Sequence, residues 1–210
     1  MNITQHKIIA IIGTDTGVGK TYITVRLLKK LNQLGLKTFG LKPIASGGFY
    51  QNDKLVNHDG LLLQQAASEY YDYDLINPNV YEPAIAPHIA ARKIGQMLSV
   101  DKLTQQIQKV ISFINADITL LEGVGGLLTP LNLLETYADL IKALNIPVIL
   151  VVSIRLGCIN HALLTAHSLK QKHITCIGWV ANCIEENMIA QQENIQTLQV
   201  MLNIPELRLK

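Results

Sequence analysis

Apolar positions along this chain recur with two periods, and stretches of the two kinds alternate. The apolar run Ile8 to Ile12 is followed by Ile23, Leu27, Leu28, Leu31 and Leu34 at helical spacing. A strand therefore leads into a helix from about Lys20 to Leu34, with Gly35 as its C-terminal cap. Lys37 to Leu41 predicts a second strand, ended at Lys42-Pro43 because proline has no N–H to pair. Ile44 to Asn57 is polar and glycine-bearing and reads as a long loop, the kind that often carries function. His58-Asp59 opens a helix through Leu61, Leu62, Leu63, Ala66 and Ala67, and the tyrosine- and proline-rich stretch Tyr70 to Ala86 reads as irregular. Helices are expected at Pro87 to Ile94 and Val100 to Asn115, the second buried along Leu103, Ile107, Val110, Ile111 and Ile114.

Asp117 to Leu121 predicts a third strand and Thr136 to Leu144 a short helix. Pro147 to Val152 is β-branched without alternation, as in a central strand covered on both faces. A helix follows from Leu156-Gly157 with Leu163, Leu164, Ala166 and Leu169, then a strand from Ile174 to Ala181 and a polar surface helix from Asn187 to Leu202. Strands alternating with helices predict an α/β fold, a mostly parallel central sheet with helices on both faces, in one domain over 1–210. Ligands of such sheets bind beyond the carboxyl ends of the strands. The stretches to inspect are therefore Gly13 to Thr21, Lys42 to Ser46, Glu122 with its glycines, Gly157 to Asn160, and Asn182.

Composition narrows the picture. With 49% apolar and 16% charged residues the chain is expected to be compact. A formal charge of +2, with no basic block longer than Lys29-Lys30, gives no reason to expect nucleic acid or a membrane surface as partner. Three cysteines without metal-site spacing, and a start that runs straight into the first strand, predict a reduced, cytoplasmic protein with no signal peptide.

The strand-to-helix turn Gly13-Thr14-Asp15-Thr16-Gly17-Val18-Gly19-Lys20-Thr21 has the chemistry of a phosphate loop, which makes the expected fold P-loop NTPase-like. Glycines let backbone N–H groups approach phosphate oxygens at a helix N-terminus, Lys20 adds a full charge, and the Thr21 hydroxyl suits Mg²⁺. Five residues separate Gly13 from Gly19, one more than the general motif has. Glu122, at the end of a buried strand, stands where such proteins keep an acidic residue for the metal. Asp59 reads alone as an ordinary N-cap, with a second metal carboxylate as the alternative. Lys42 is either a snorkelling surface lysine or a second positive charge facing an anionic acceptor. Gly157 to Asn160 either starts a helix or offers its free N–H groups to a substrate carboxylate. Trp179 is expected in the core, and His88 and His161 as satisfied structural histidines.

These stretches resemble the dethiobiotin synthetase family. The resemblance is carried by Gly13 to Thr21 with its five-residue spacing, Lys42-Pro43-x-Ala45-Ser46-Gly47, Pro87-His88, Glu122-Gly123-x-Gly125-Gly126-x-x-Thr129-Pro130, Pro147 to Val151, Leu156 to His161 and Gly178-Trp179-Val180-Ala181-Asn182. It implies ATP- and Mg²⁺-dependent closure of a ureido ring from 7,8-diaminononanoate and CO₂, through a carbamate and a carbamic–phosphoric anhydride. It further implies Lys20 and Lys42 as catalytic residues, and Thr16, Lys42 and Ser46 at the diamine end. Gly17, Val18, Gly19, Lys20 and Thr21 would cradle the nucleotide, Thr21, Asp59 and Glu122 would hold Mg²⁺, and Asn182 would read adenine. A homodimer is implied as well, with Gly157, Cys158, Ile159 and Asn160 gripping the substrate carboxylate across the interface.

Three departures carry expectations of their own. Gly17 stands where the family often has Glu or Asp, and Cys183 where Asp usually follows Asn182. Family members also continue beyond the equivalent of Ile204 to Lys210 with a strand and an adenine-holding loop. Selectivity for ATP is thus expected to be weaker, or supplied by another segment. The competing readings are a regulatory ATPase of the partitioning and cell-division type, which carries an extra lysine where this chain has Thr14-Asp15-Thr16, and a small-molecule kinase.

Overall fold

The computed structural model describes residues 3–184 and 188–209. Its first strand, β1 (Ile8–Gly13), runs through the phosphate-loop segment into α1 (Lys20–Gln33). Then come β2 (Thr38–Leu41), β3 (Ile44–Ser46), β4 (Phe49–Gln51), β5 (Lys54–Val56), α2 (His58–Ala66), α3 (Tyr73–Ile76), β6 (Asn79–Tyr81), α4 (Pro87–Lys93) and α5 (Val100–Phe113). The order is completed by β7 (Ile118–Glu122), α6 (Tyr137–Leu144), β8 (Val148–Ser153), α7 (Cys158–Gln171), β9 (Cys176–Asn182) and α8 (Gln191–Leu202).

Among the described residues, β2-β7-β1-β8-β9 form one sheet, parallel throughout, with Ile11 beside Glu122 on one side and Ile149 on the other. Every residue of β7 and β8 is buried, which requires cover on both faces. Helices α1 and α2 pack together, as do α5 with α6 and α7 with α8. This is the expected α/β architecture. β1 and β7 lie side by side and end together, so the phosphate-loop segment and Glu122 emerge at the same rim.

Two stretches differ from the sequence expectation. Ile44 to Asn57 is no loop: β3 pairs in parallel with β6, and β4 and β5 form a hairpin whose Asn52 and Asp53 both have positive φ. Tyr70 to Ala86 likewise contains α3 and β6. Strands of three residues give too few alternations to register as a period. Leu34 and Leu164 also leave the buried stripes assigned to them. Leu34 follows the last turn of α1 as its cap, where Gly35 takes the left-handed conformation, and both leucines are exposed. Trp179 is fully buried as expected. His161 is exposed, whereas the buried His88 Nδ1 has no hydrogen-bond partner, so His88 is not the satisfied histidine expected. Asn187, the expected first residue of the last helix, lies outside the described residues.

Candidate active site

Glycine 19 precedes α1 in the left-handed conformation (φ 87°), and Gly17 shares that conformation (φ 73°), so the loop curls round its own lysine. The Lys20 ammonium donates to the carbonyls of Asp15 (2.9 Å) and Gly125 (2.7 Å). Burial, then the neighbouring Lys42 charge, pull Lys20 down to about 8, with Glu122, Asp59 and Asp15 opposing. An anion bound beside it would restore the full charge. Asn182, at the end of β9, donates to Val18 O (2.8 Å) and braces the loop from the far side. Asp15 is tied to Arg155, beyond the end of β8, at 3.1 Å.

Beyond β2 and β7 sits an unusual cluster. The Lys42 ammonium lies 2.6 Å from Glu122 Oε1 and 2.8 Å from Asp59 Oδ2. The Thr21 hydroxyl donates to that same Glu122 oxygen at 2.7 Å. Lys42 is 4% exposed and Glu122 1%, so the snorkelling alternative for Lys42 is excluded. Burial works against the Lys42 charge, yet the Glu122 and Asp59 carboxylates outweigh it and hold the ammonium above its ordinary range. Asp59 is likewise opposed by burial but pushed below the usual carboxylate range by Lys42. Asp59 is not itself the cap of α2; Asn57 is, its side chain accepting from Asp59 N at 3.0 Å.

Thr16, Gly17, Gly19, Lys20, Thr21, Lys42, Ser46, Asp59 and Glu122 all line one cavity of about 830 Å³. Four distant parts of the sequence therefore meet in one place. Val18 is buried beneath the loop and contributes its carbonyl to Asn182. Gly157 to Asn160 are absent from the lining; they start α7, with Leu156 before them 95% exposed. The wall also includes Ala84, Ile85, Ala86 and Pro87 on one side and Val124, Gly125, Thr129 and Pro130 on another, of which only Gly125, among the glycines after Glu122, lies in a strand-end stretch marked from the sequence. Pro87 and Thr129-Pro130 were visible as motif residues, but nothing in their chemistry announces a cavity wall. A smaller cavity of about 220 Å³ opens beside Asn182 and Cys183, walled by Glu206 to Leu209. That segment runs along β9: Trp179 N donates to Pro205 O and Leu207 N to Trp179 O (3.0 and 2.7 Å).

A family model described as AAA domain matches residues 7–209. The ATP-dependent dethiobiotin synthetase BioD of Pseudoalteromonas translucida is 45% identical over 195 residues, covering 93% of this chain and 86% of that protein. The BioD of Xylella fastidiosa is 42% identical, covering 93% and 85%. The MinD cell division protein of Aquifex aeolicus superposes with a TM-score of 0.56 at 17% identity, over 95% of this chain and 79% of that one. At that identity MinD shares the P-loop NTPase fold alone. The agreement with BioD proteins in sequence, over nearly the whole of both chains, is of another order, and this chain belongs to the dethiobiotin synthetase family.

Proposed function

We propose that this protein closes the ureido ring of dethiobiotin from 7,8-diaminononanoate and CO₂ at the expense of ATP, as one domain in the cytoplasm. The observation that carries the reading is the sharing of Glu122 Oε1 by Lys42 and Thr21, which sets a second ammonium beside the phosphate loop. One amine of the substrate takes up CO₂ and releases a proton, leaving a carbamate anion. A carbamate oxygen attacks the γ-phosphorus and ADP departs; the second amine then attacks the carbamoyl carbon, losing a proton as phosphate leaves. Each approach brings anions together, and Lys20 and Lys42 offset that repulsion from fixed positions in a low-dielectric cavity. Ala84, Ile85, Pro87 and Pro130 offer apolar wall to the alkyl chain, while Thr16, Ser46 and Lys42 hold the nitrogen end.

The donor set fits Mg²⁺. Thr21, Asp59 and Glu122 supply hard oxygens, and buried Glu122 Oε2 has no hydrogen-bond partner. The ion would draw charge from the phosphate oxygens during transfer. Phosphates lie against Gly17 to Thr21, and the cavity between Asn182 and residues 206–209 suits the base. Because Gly157 to Asn160 lie outside the main cavity, the carboxylate grip comes from a second copy. Exposed Leu133, Leu134 and Leu156 give such a copy apolar surface to cover.

ATP turnover with 7,8-diaminononanoate, with and without bicarbonate, tests the whole. Turnover should require both; an ATPase indifferent to either rejects the synthetase, and a stable phosphorylated product formed without CO₂ would mark a kinase. Asn160→Ala should raise the diamine KM on the order of tenfold, the worth of one hydrogen bond to a charged group, with little change for ATP. Equal rises in both would remove the carboxylate grip from α7.

A further inference from the structure

A chain of buried polar side chains links three of the residues assigned above, and the reaction described so far uses none of it. Asn57 spends both ends of its amide: Oδ1 accepts from Asp59 N, while Nδ2 donates to Ser46 O (3.2 Å) and Gly47 O (3.4 Å). Its backbone N–H donates to the Tyr73 hydroxyl at 2.7 Å, and that hydroxyl donates to Asn77 Oδ1 at 2.9 Å. Asn77 Nδ2 in turn donates to Lys42 O at 2.6 Å, and Lys42 N donates to Ile76 O at 2.7 Å. Asn57, Tyr73 and Asn77 are all buried, Asn77 to within 2%.

Local structure alone does not ask for these residues. An N-cap needs only an acceptor, which Ser, Thr or Asp provides as well as Asn. The additional donor that Asn57 carries goes to β3, not to α2. Asn77 caps α3 with φ −136°, so it is not there for a left-handed backbone. Gly60 makes room for the chain: a Cβ there would stand 2.7 Å from the Tyr73 hydroxyl and 3.0 Å from Asn77 Oδ1. We propose that Asn57, backed by Tyr73 and Asn77, is a positioning residue for the diamine end of the site, holding Ser46 at a fixed distance from Asp59 and Lys42. This rests on the assignment of Ser46 to the diamine. Catalytic geometry tolerates little looseness, since a displacement of about 1 Å can cost on the order of 10²-fold in rate.

Asn57→Ser keeps the helix cap and cuts the tether to β3. The diamine KM should rise about tenfold and kcat should fall, with the ATP KM within about twofold. Tyr73→Phe should shift the same constants in the same direction, and the double variant should fall short of the product of the two, as members of one network do. Should Asn57→Ser fail to fold, Asn57→Asp, isosteric and still a cap, carries the same split. Diamine and ATP KM rising together, or a lower melting temperature with both KM values unmoved, would reduce the chain to a fold-stabilising role and overturn the proposal. Ser46→Ala separates the placement of the diamine from the positioning role of Asn57. If it leaves the diamine KM unchanged, the placement of the diamine falls and the positioning role with it. If it raises that KM while Asn57→Ser does not, the positioning role alone is overturned.

Discussion

Lys42→Gln should lower turnover by on the order of 10²–10³-fold, the loss expected when one fixed charge contact to a transition state is removed. The same change should be felt without any substrate. Lys42 and Glu122 are a buried pair, and taking away one member of such a pair costs about 3–5 kcal/mol because the other charge stays behind without a counter-ion. The metal-free variant should therefore melt well below the parent protein. Saturating Mg²⁺ with ATP should narrow that gap, because the ion brings positive charge to the oxygens that Lys42 neutralises. A melting gap untouched by Mg²⁺ and ATP would remove Glu122 and Asp59 from the metal site. A near-normal rate, measured with bicarbonate and diamine, would leave Lys42 as a structural counter-ion only.

The place of Lys42, buried between Glu122 and Asp59 at the strand-end rim, marks how far the chain could be read. Strands of five or six buried residues and helices of fourteen impose their period on the sequence, so the parallel sheet and its carboxyl-end rim could be found from β1, β7, β8, α1 and α7. Once the rim is known, Lys42 and Glu122 are legible because a charge at the end of an apolar run stands out, whereas Asp59, in the first turn of a helix, reads alone as an N-cap. Their mutual contacts were not legible. Lys42 meets Glu122 only because β2 lies beside β7, a pairing between segments far apart in the chain. The Asn57–Tyr73–Asn77 chain left still less trace. An Asn before a helix and an Asn before a proline are common enough at turns to pass without notice. The three-residue strands failed for a simpler reason, being shorter than the period that would reveal them.

The phosphate loop offers the second large effect, and it separates space from backbone. Gly17 and Gly19 share a left-handed backbone, which costs any residue with a Cβ about 1–2 kcal/mol. Their surroundings differ. Nothing lies within 4 Å of a Cβ at Gly17, whereas a Cβ at Gly19 would fall on the Asn182 amide nitrogen that donates to Val18 O. Gly17→Ala should therefore lower the melting temperature slightly and leave the ATP KM within about threefold, the effect of strain without collision. Gly19→Ala adds the lost Asn182 bond and a loop pushed out of register with the phosphates, so kcat/KM for ATP should fall on the order of 10²-fold. Open space at position 17 leaves room for a side chain in this chain, whereas a side chain at position 19 would meet Asn182. Steady-state kinetics in ATP on the two variants decide the matter. Equal losses would mean that φ alone sets the tolerance of the loop, and that Asn182 takes no part in shaping it.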